Sequence, residues 1–389
     1  MKMKQLLEGA QVVFPTEVRR ADILIEDGII SAINPQSEGT AEIIRLGGSL
    51  LMPGMIDLHC DALEKEVEPR PNVHFPLSFA CAQADKKNAI AGITTVFHAL
   101  SFARHELGVR NNEFAAEIAR AVCNWRTHAM VENLVHARYE VTDDSAMPAI
   151  AELLTRGHVR ILSFMDHTPG QGQFKDISSF RAYLAKTYGK SDMEMDEIMS
   201  RKLLCAETAL VRMRELAAVA KSHGVAIASH DDDSAEKVET VSALGAVISE
   251  FPVNLEAARA AKAKGLATLF GAPNVIRGKS QSGAMRVLDA VMAGVADCLC
   301  SDYSPAALLT ATLSLPELSS IGLHKAVALV TKNPALAAGL DDRGEIAVGK
   351  RADLIAVRQS GGLHHAEHVW SRGTPVFSRK HHRIGGMSQ

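Results

Sequence analysis

Histidine and carboxylate side chains recur in this sequence wherever a short apolar run ends. "MIDLHCD" finishes in His59 and Asp61, and "VHARYE" finishes in Glu140, with His136 and Arg138 on the alternate positions. "ILSFMDH" ends in Asp166 and His167, "VAIASHDDD" in His230 and Asp231, and "DCLCSD" in Asp302. One such residue is ordinarily a hydrogen-bonded surface group or a helix cap, and one of Asp231, Asp232 and Asp233 is expected to cap the helix that follows. Five run-ends of the same kind are different, because together they would crowd uncompensated polarity onto one rim. Imidazole nitrogen and carboxylate oxygen suit a borderline divalent ion, Zn²⁺ or Mn²⁺. The expected ligands are His59, Asp61, Glu140, His167, His230 and Asp302, holding one or two ions. Two ions, about 3.5–4 Å apart, would share a hydroxide and have Glu140 as their bridge. Asp302 is also expected to take the proton from that water, whose pKa the metal lowers. Glu250 in "GAVISEF" is a second choice of ligand in place of His167, ranked lower because "MDH" leads into a Gly-Pro loop suited to a pocket rim.

These groups need elements that bring them to one edge. Eight strand-like runs are spaced along the middle of the chain: "GMIDLH", "GITTVFHAL", "NLVHARYEV", "VRILSFMDH", "GVAIASHD", "GAVISEF", "LATLFGAP" and "DCLCSD". Helical segments such as "AEKVETVSALG" separate many of them, with Gly at the helix exits. Buried strands alternating with helices are the sequence form of a (β/α)8 barrel, whose working groups sit where strands end. An open doubly wound sheet is the alternative. The first fifty residues and the C-terminal part instead read as short strands between Gly, Pro and Asn turns. They are expected to pair into a small β-sandwich, residues 1–52 plus 340–389, beside a barrel of residues 53–339. A long, charge-rich stretch at about 174–221 reads as a helical insertion or lid.

Composition narrows the function. The 389 residues are 47% apolar and 22% charged, which permits a large core without staples. A formal net charge of −3 gives no broad basic field, so nucleic acid is not expected as a partner. The six cysteines form no CxxC pair, which suggests reduced thiols and a cytoplasmic protein. No apolar run approaches membrane-spanning length, so no membrane partner is expected.

Here the chain resembles the amidohydrolase superfamily of metal-dependent hydrolases. "LMPGMIDLHCD" is similar to that family's opening strand and "GKRADLIAV" to the return of its composite sandwich, while Asp302 in "SDY" stands where the family keeps a last-strand aspartate. Within the family, "MDHTPGQGQF", "EFPVN", "GAPNVIRG", "SDYSPAALL" and "VTKNPA" resemble the carbon–phosphorus lyase pathway branch acting on ribose 1-phosphonate 5-triphosphates. The chain departs from that branch at Ala62, Glu66, His98 and Ser304. The resemblance implies hydrolysis of a triphosphate arm to a 5-phosphate plus diphosphate, in phosphonate metabolism. The alternative is an amidohydrolase acting on a C–N bond as deacetylase, deaminase or cyclic amidase.

A triphosphate needs local cations and donors despite the acidic balance. "GAPNVIRGKSQSGAMRV" supplies Asn274, Arg277 and Lys279 after a late strand, where barrel enzymes often bind phosphate. His98 and Gln171 are further expected substrate contacts. Barrels of this type often pair, which makes a homodimer one candidate assembly, although the sequence itself does not specify the oligomeric state.

Overall fold

The computed structural model describes residues 4–37, 39–103, 111–168, 191–280 and 283–379. Two eight-stranded sheets organise them. The first collects both ends of the chain: β1 (Lys4–Val13), β2 (Val18–Glu26), β3 (Ile29–Ile33), β4 (Glu42–Arg45), β5 (Leu50–Pro53), β14 (Leu354–Ser360), β15 (Leu363–Ser371) and β16 (Thr374–Ser378). Its order is β16-β15-β14-β5-β1-β2-β3, with β4 also paired to β1. Most pairings are antiparallel, but β1 runs parallel to both β4 and β5. The ends share one core, in which Leu7, Val12, Ile23 and Leu51 pack with Leu354, Ala356 and Trp370.

The second sheet is parallel. Its strands are β6 (Met55–Cys60), β7 (Ile93–Phe102), β8 (Glu132–Glu140), β9 (Val159–Met165), β10 (Ala226–His230), β11 (Ile248–Glu250), β12 (Ala267–Gly271) and β13 (Cys298–Cys300). Each pairs with the next in sequence, and the sheet closes through a parallel bridge between Cys60 and Asp302. These are the eight runs expected from the sequence, and the architecture is the (β/α)8 barrel. The strands are almost wholly buried, as a sheet wrapped by helices requires. Ile56, Leu58, Phe97, Leu134, Ile161, Ile248 and Leu269 fill the interior with Cys298 and Cys300. All six cysteines are free.

Local signals set the helix ends. Asn111, Ser234 and Asn254 accept backbone N–H bonds at their N-termini. Gly92, at φ +85°, closes the helix Leu77–Ala91 in a left-handed turn. The stretch expected as one insertion divides differently. Residues 174–190 lie outside the described residues. Asp192–Ala206 is a helix opened by a capping box at Ser191, and Ala209–Ser222 is the barrel's own connection into β10. Leu216, Ala217 and Ala220 of that connection enter the core outside the barrel, so this half is not a lid. Among the described residues, no helix is long and apolar enough to cross a membrane.

Candidate active site

His59, Asp61, His230, Glu250 and Asp302 gather where the barrel strands end. Two overlapping groups share His59: one is His59, His230 and Glu250, the other His59, Asp61 and Asp302. Within each, ligand-type atoms lie no more than 4.8 Å apart. The register of β6 against β7 slips between Asp57 and Cys60. His59 meets Glu250 with Nδ1 at 3.0 Å from Oε1, and its Nε2 lies 3.4 Å from Asp61 Oδ1. His230 Nδ1 sits 3.4 Å from the other oxygen of Glu250.

The backbone holds these groups at the seam of the barrel. Asp302 N donates to the His59 carbonyl at 3.0 Å, and Asp61 N donates to the Asp302 carbonyl at 2.7 Å. Beneath them, Asp57 accepts from the backbone of Ser301 at 3.0 Å and of His59 at 3.3 Å. One buried carboxyl thus ties the strand of His59 to the strand of Asp302. Its burial pushes it up to about 6. Asp231, Phe251 and Asp302 each follow a strand end with φ between +51° and +56°. That left-handed backbone costs a non-glycine residue about 1 kcal/mol or more, and three instances on one rim mark it as a working edge. The Phe251 ring stands edge-on to His59 and His230, with centroids 5.0 and 5.2 Å away.

Burial and charge divide the titrating groups. Burial alone would lower His59, but Glu250 and Asp61 outweigh it and raise it to about 10. Burial lowers His136 to about 4 and lowers His230. Glu250 is held well below the usual carboxylate range because His136 and His59 outweigh its desolvation. Asp302 rises to about 6 through burial, reinforced by the charge of Asp61.

The donor set fits a divalent cation. Imidazoles and carboxylates converge, and His136 adds a further sign: its Nδ1 bonds the Leu58 carbonyl at 2.9 Å, while its buried Nε2 has no hydrogen-bond partner. That Nε2 lies 3.6 Å from Glu250 Oε1, so it turns a lone pair toward the same centre.

Other expected residues stand elsewhere. Glu140, expected to bridge two ions, joins neither His59 group; its carboxylate pairs with His167 Nδ1 at 2.8 Å and Lys202 Nζ at 3.2 Å. His167 remains on the rim, its ring edge-on to His230 at 6.4 Å. Glu250, ranked behind His167, is therefore the carboxylate that joins His59 to His230. His98 is not a pocket residue. It is buried on the outer side of β7, with Nε2 2.8 Å from Asn133 Oδ1, and Asn133 in turn donates to Asp85 of the helix Leu77–Ala91. The reason is strand alternation: Phe97 fills the barrel interior, so His98 points the other way.

The expected phosphate loop is also differently employed. The Asn274 amide donates to Met285 O and accepts from Val287 N, which ties the loop to itself. Arg277 and Lys279 are exposed. Among the described residues, no hydrogen bond or ion pair joins any of the three to the His59 groups. Gln171 lies outside the described residues. Asp232, a candidate helix cap, instead accepts from the hydroxyls of Ser229 and Ser249, and Ser234 is the cap.

Sequence reasoning left Arg138, His136 and Phe251 without roles. A signal existed for two of them, since His136 and Arg138 alternate with Glu140 along β8 and must share its inward face.

The chain is similar to known proteins over nearly its whole length. Residues 202–377 match the profile described as "Amidohydrolase family". Over 377 residues, 96% of this chain and 100% of the relative, the sequence is 34% identical to alpha-D-ribose 1-methylphosphonate 5-triphosphate diphosphatase of Escherichia coli (strain K12). Among solved structures, N-acetyl-D-glucosamine-6-phosphate deacetylase from Mycobacterium smegmatis superimposes with a TM-score of 0.64 at 16% identity, covering 96% of this chain and 100% of that one. Dihydropyrimidinase from Brevibacillus agri NCHU1002 gives a TM-score of 0.55 at 14% identity, covering 97% and 95%.

Proposed function

The chain belongs to the amidohydrolase superfamily, and from that premise we propose a metal-dependent phosphoanhydride hydrolase of phosphonate catabolism. Its proposed substrate is ribose 1-(methyl)phosphonate 5-triphosphate, and the products are the 5-phosphate and diphosphate. The full-length similarity to a diphosphatase carries the choice of bond. The two His59-centred groups support the metal dependence.

In this reading a cation would be held by His59 with His230 and Glu250, or by His59 with Asp61 and Asp302. Zinc or manganese suits the nitrogen and oxygen donors. Such an ion supplies Lewis acidity, acidifying a water and neutralising charge on a phosphoryl oxygen. Asp302 accepts the proton of the attacking water at its carboxylate. Its place at the strand end beside Asp61 and His59 puts that carboxylate where the water would lie. Asp57 keeps Asp302 and His59 in register through Ser301 and the His59 amide. The ring of Phe251 packs edge-on against both imidazoles.

The deciding experiment incubates metal-loaded protein separately with ribose 1-phosphonate 5-triphosphate, nucleoside triphosphates and cyclic amides, and identifies the products. Diphosphate release from the ribose triphosphate is expected. Turnover confined to the cyclic amides would establish the C–N reading instead. In the same assay Asp302→Asn is expected to lose roughly 10²–10⁴-fold in kcat with metal retained.

A further inference from the structure

Among the described residues, Arg138 is the guanidinium that contacts both His59-centred groups. It sits on β8 with its side chain 8% exposed. Nη1 donates to Asp61 Oδ1 at 3.2 Å, and Nη2 lies 3.4 Å from His230 Nε2. Its Nε is buried and has no hydrogen-bond partner. A guanidinium stays charged at any working pH, so burial with an unused donor is costly unless an acceptor arrives. Both present partners, Asp61 and His230, belong to the groups that suit a cation. Asp61 Oδ1 faces both Arg138 and His59 Nε2, so a cation held by His59, Asp61 and Asp302 would compete with Arg138 for that oxygen. A cation there would weaken the Asp61 contact and, with the unpartnered Nε, would leave donors of the guanidinium open to an incoming acceptor.

We propose that Arg138 is the substrate's anion anchor: a guanidinium on the third barrel strand that grips a phosphoryl group beside the metal. The anchor rests on the phosphoanhydride reading and sharpens it, because a neutral cyclic amide offers no charge-matched partner for this fork. Planar, bidentate recognition of phosphate is what arginine does and lysine does poorly. The anchor also answers how a chain of net charge −3 holds a polyphosphate when Arg277 and Lys279 are exposed.

The test titrates inorganic diphosphate into metal-loaded full-length protein by calorimetry, for wild type, Arg138→Met and Arg138→Lys, with metal content measured on the same samples. Expected is at least tenfold weaker diphosphate binding in Arg138→Met at unchanged metal content, with Arg138→Lys recovering part of the loss. Wild-type affinity in metal-loaded Arg138→Met would overturn the proposal. So would a wild-type protein that binds no diphosphate, or a loss fully explained by lost metal. Should Arg138→Met fail to fold by circular dichroism, Arg138→Lys decides, and full affinity in that variant overturns the planar anchor. The two readings fail separately. Diphosphate binding that depends on Arg138 in a protein hydrolysing only C–N bonds leaves the anchor standing and removes the phosphoanhydride function.

Discussion

Glu250 is the residue through which His59 and His230 are joined. Each carboxylate oxygen faces one imidazole, and a third, His136, turns an unpartnered nitrogen toward the first. A carboxylate so surrounded, and held well below its ordinary pKa, behaves as a built-in anion that a cation would complete. Neutralising it should loosen the cation without reshaping the site, since glutamine has the same outline. Glu250→Gln is therefore expected to weaken metal binding by at least tenfold in a chelator competition. Glu140→Gln should do less, because that carboxylate pairs with His167 and Lys202 outside both His59 groups. The opposite order, with Glu140→Gln losing metal and Glu250→Gln keeping it, would restore Glu140 as the central ligand expected from the sequence.

The site is carried by short elements that need pinning. β10 and β11, only five and three residues long, deliver His230 and Glu250. Asp232 pins both from behind, accepting the Ser229 and Ser249 hydroxyls at 2.5 Å each while fully buried. Asp232→Ala strands two buried hydroxyls and removes the brace between the two strands. About 2–4 kcal/mol of lost stability follows from unsatisfied groups of that kind. A measured loss below about 0.5 kcal/mol would mean the hydroxyls find other partners. This element scale is also where the sequence was most legible. All eight barrel strands were visible as apolar runs, because a strand buried on both faces must be apolar and its neighbouring turns must break it. The order of ligands was less visible. Periodicity says that His59, Glu140, His167, His230, Glu250 and Asp302 end strands; it does not say which side chains meet across the barrel. That depends on closure, which brings Glu250 of β11 within reach of His59 of β6, while Glu140 meets a lysine from the helix Asp192–Ala206. The face of His98 is hidden for a related reason: the hydrophobic run in β7 does not show which side each residue takes.

At the opposite end of the barrel, charge couples the two sheets. Glu132 opens β8 and receives Arg343 and Arg351, each at 2.5 Å, with Arg372 at 3.1 Å. These arginines come from the chain that returns to the mixed sheet, and Arg351 is itself held by Asp353 beside β14. Burial alone would raise Glu132, but Arg343 and Arg351 outweigh it and bring the carboxyl down from 4.5 to about 2. A carboxylate whose folded pKa is depressed stabilises the fold above its unfolded value, and that stability is lost as pH falls through the folded one. The window here runs from about pH 4.5 down to about pH 2. A shift of this size corresponds to about 3 kcal/mol at neutral pH. Glu132→Gln should therefore be less stable than wild type by about that amount at pH 7, with three arginines left short of their shared anion. The gap should narrow as pH drops below 4.5, since a protonated glutamic acid offers the arginines little more than an amide does. Denaturant midpoints for both proteins, followed from pH 7 down to the lowest pH at which wild type stays folded, measure it. A gap that stays constant across that range would show that the network holds the sheets by packing of the arginine stems, with the charge of Glu132 adding nothing.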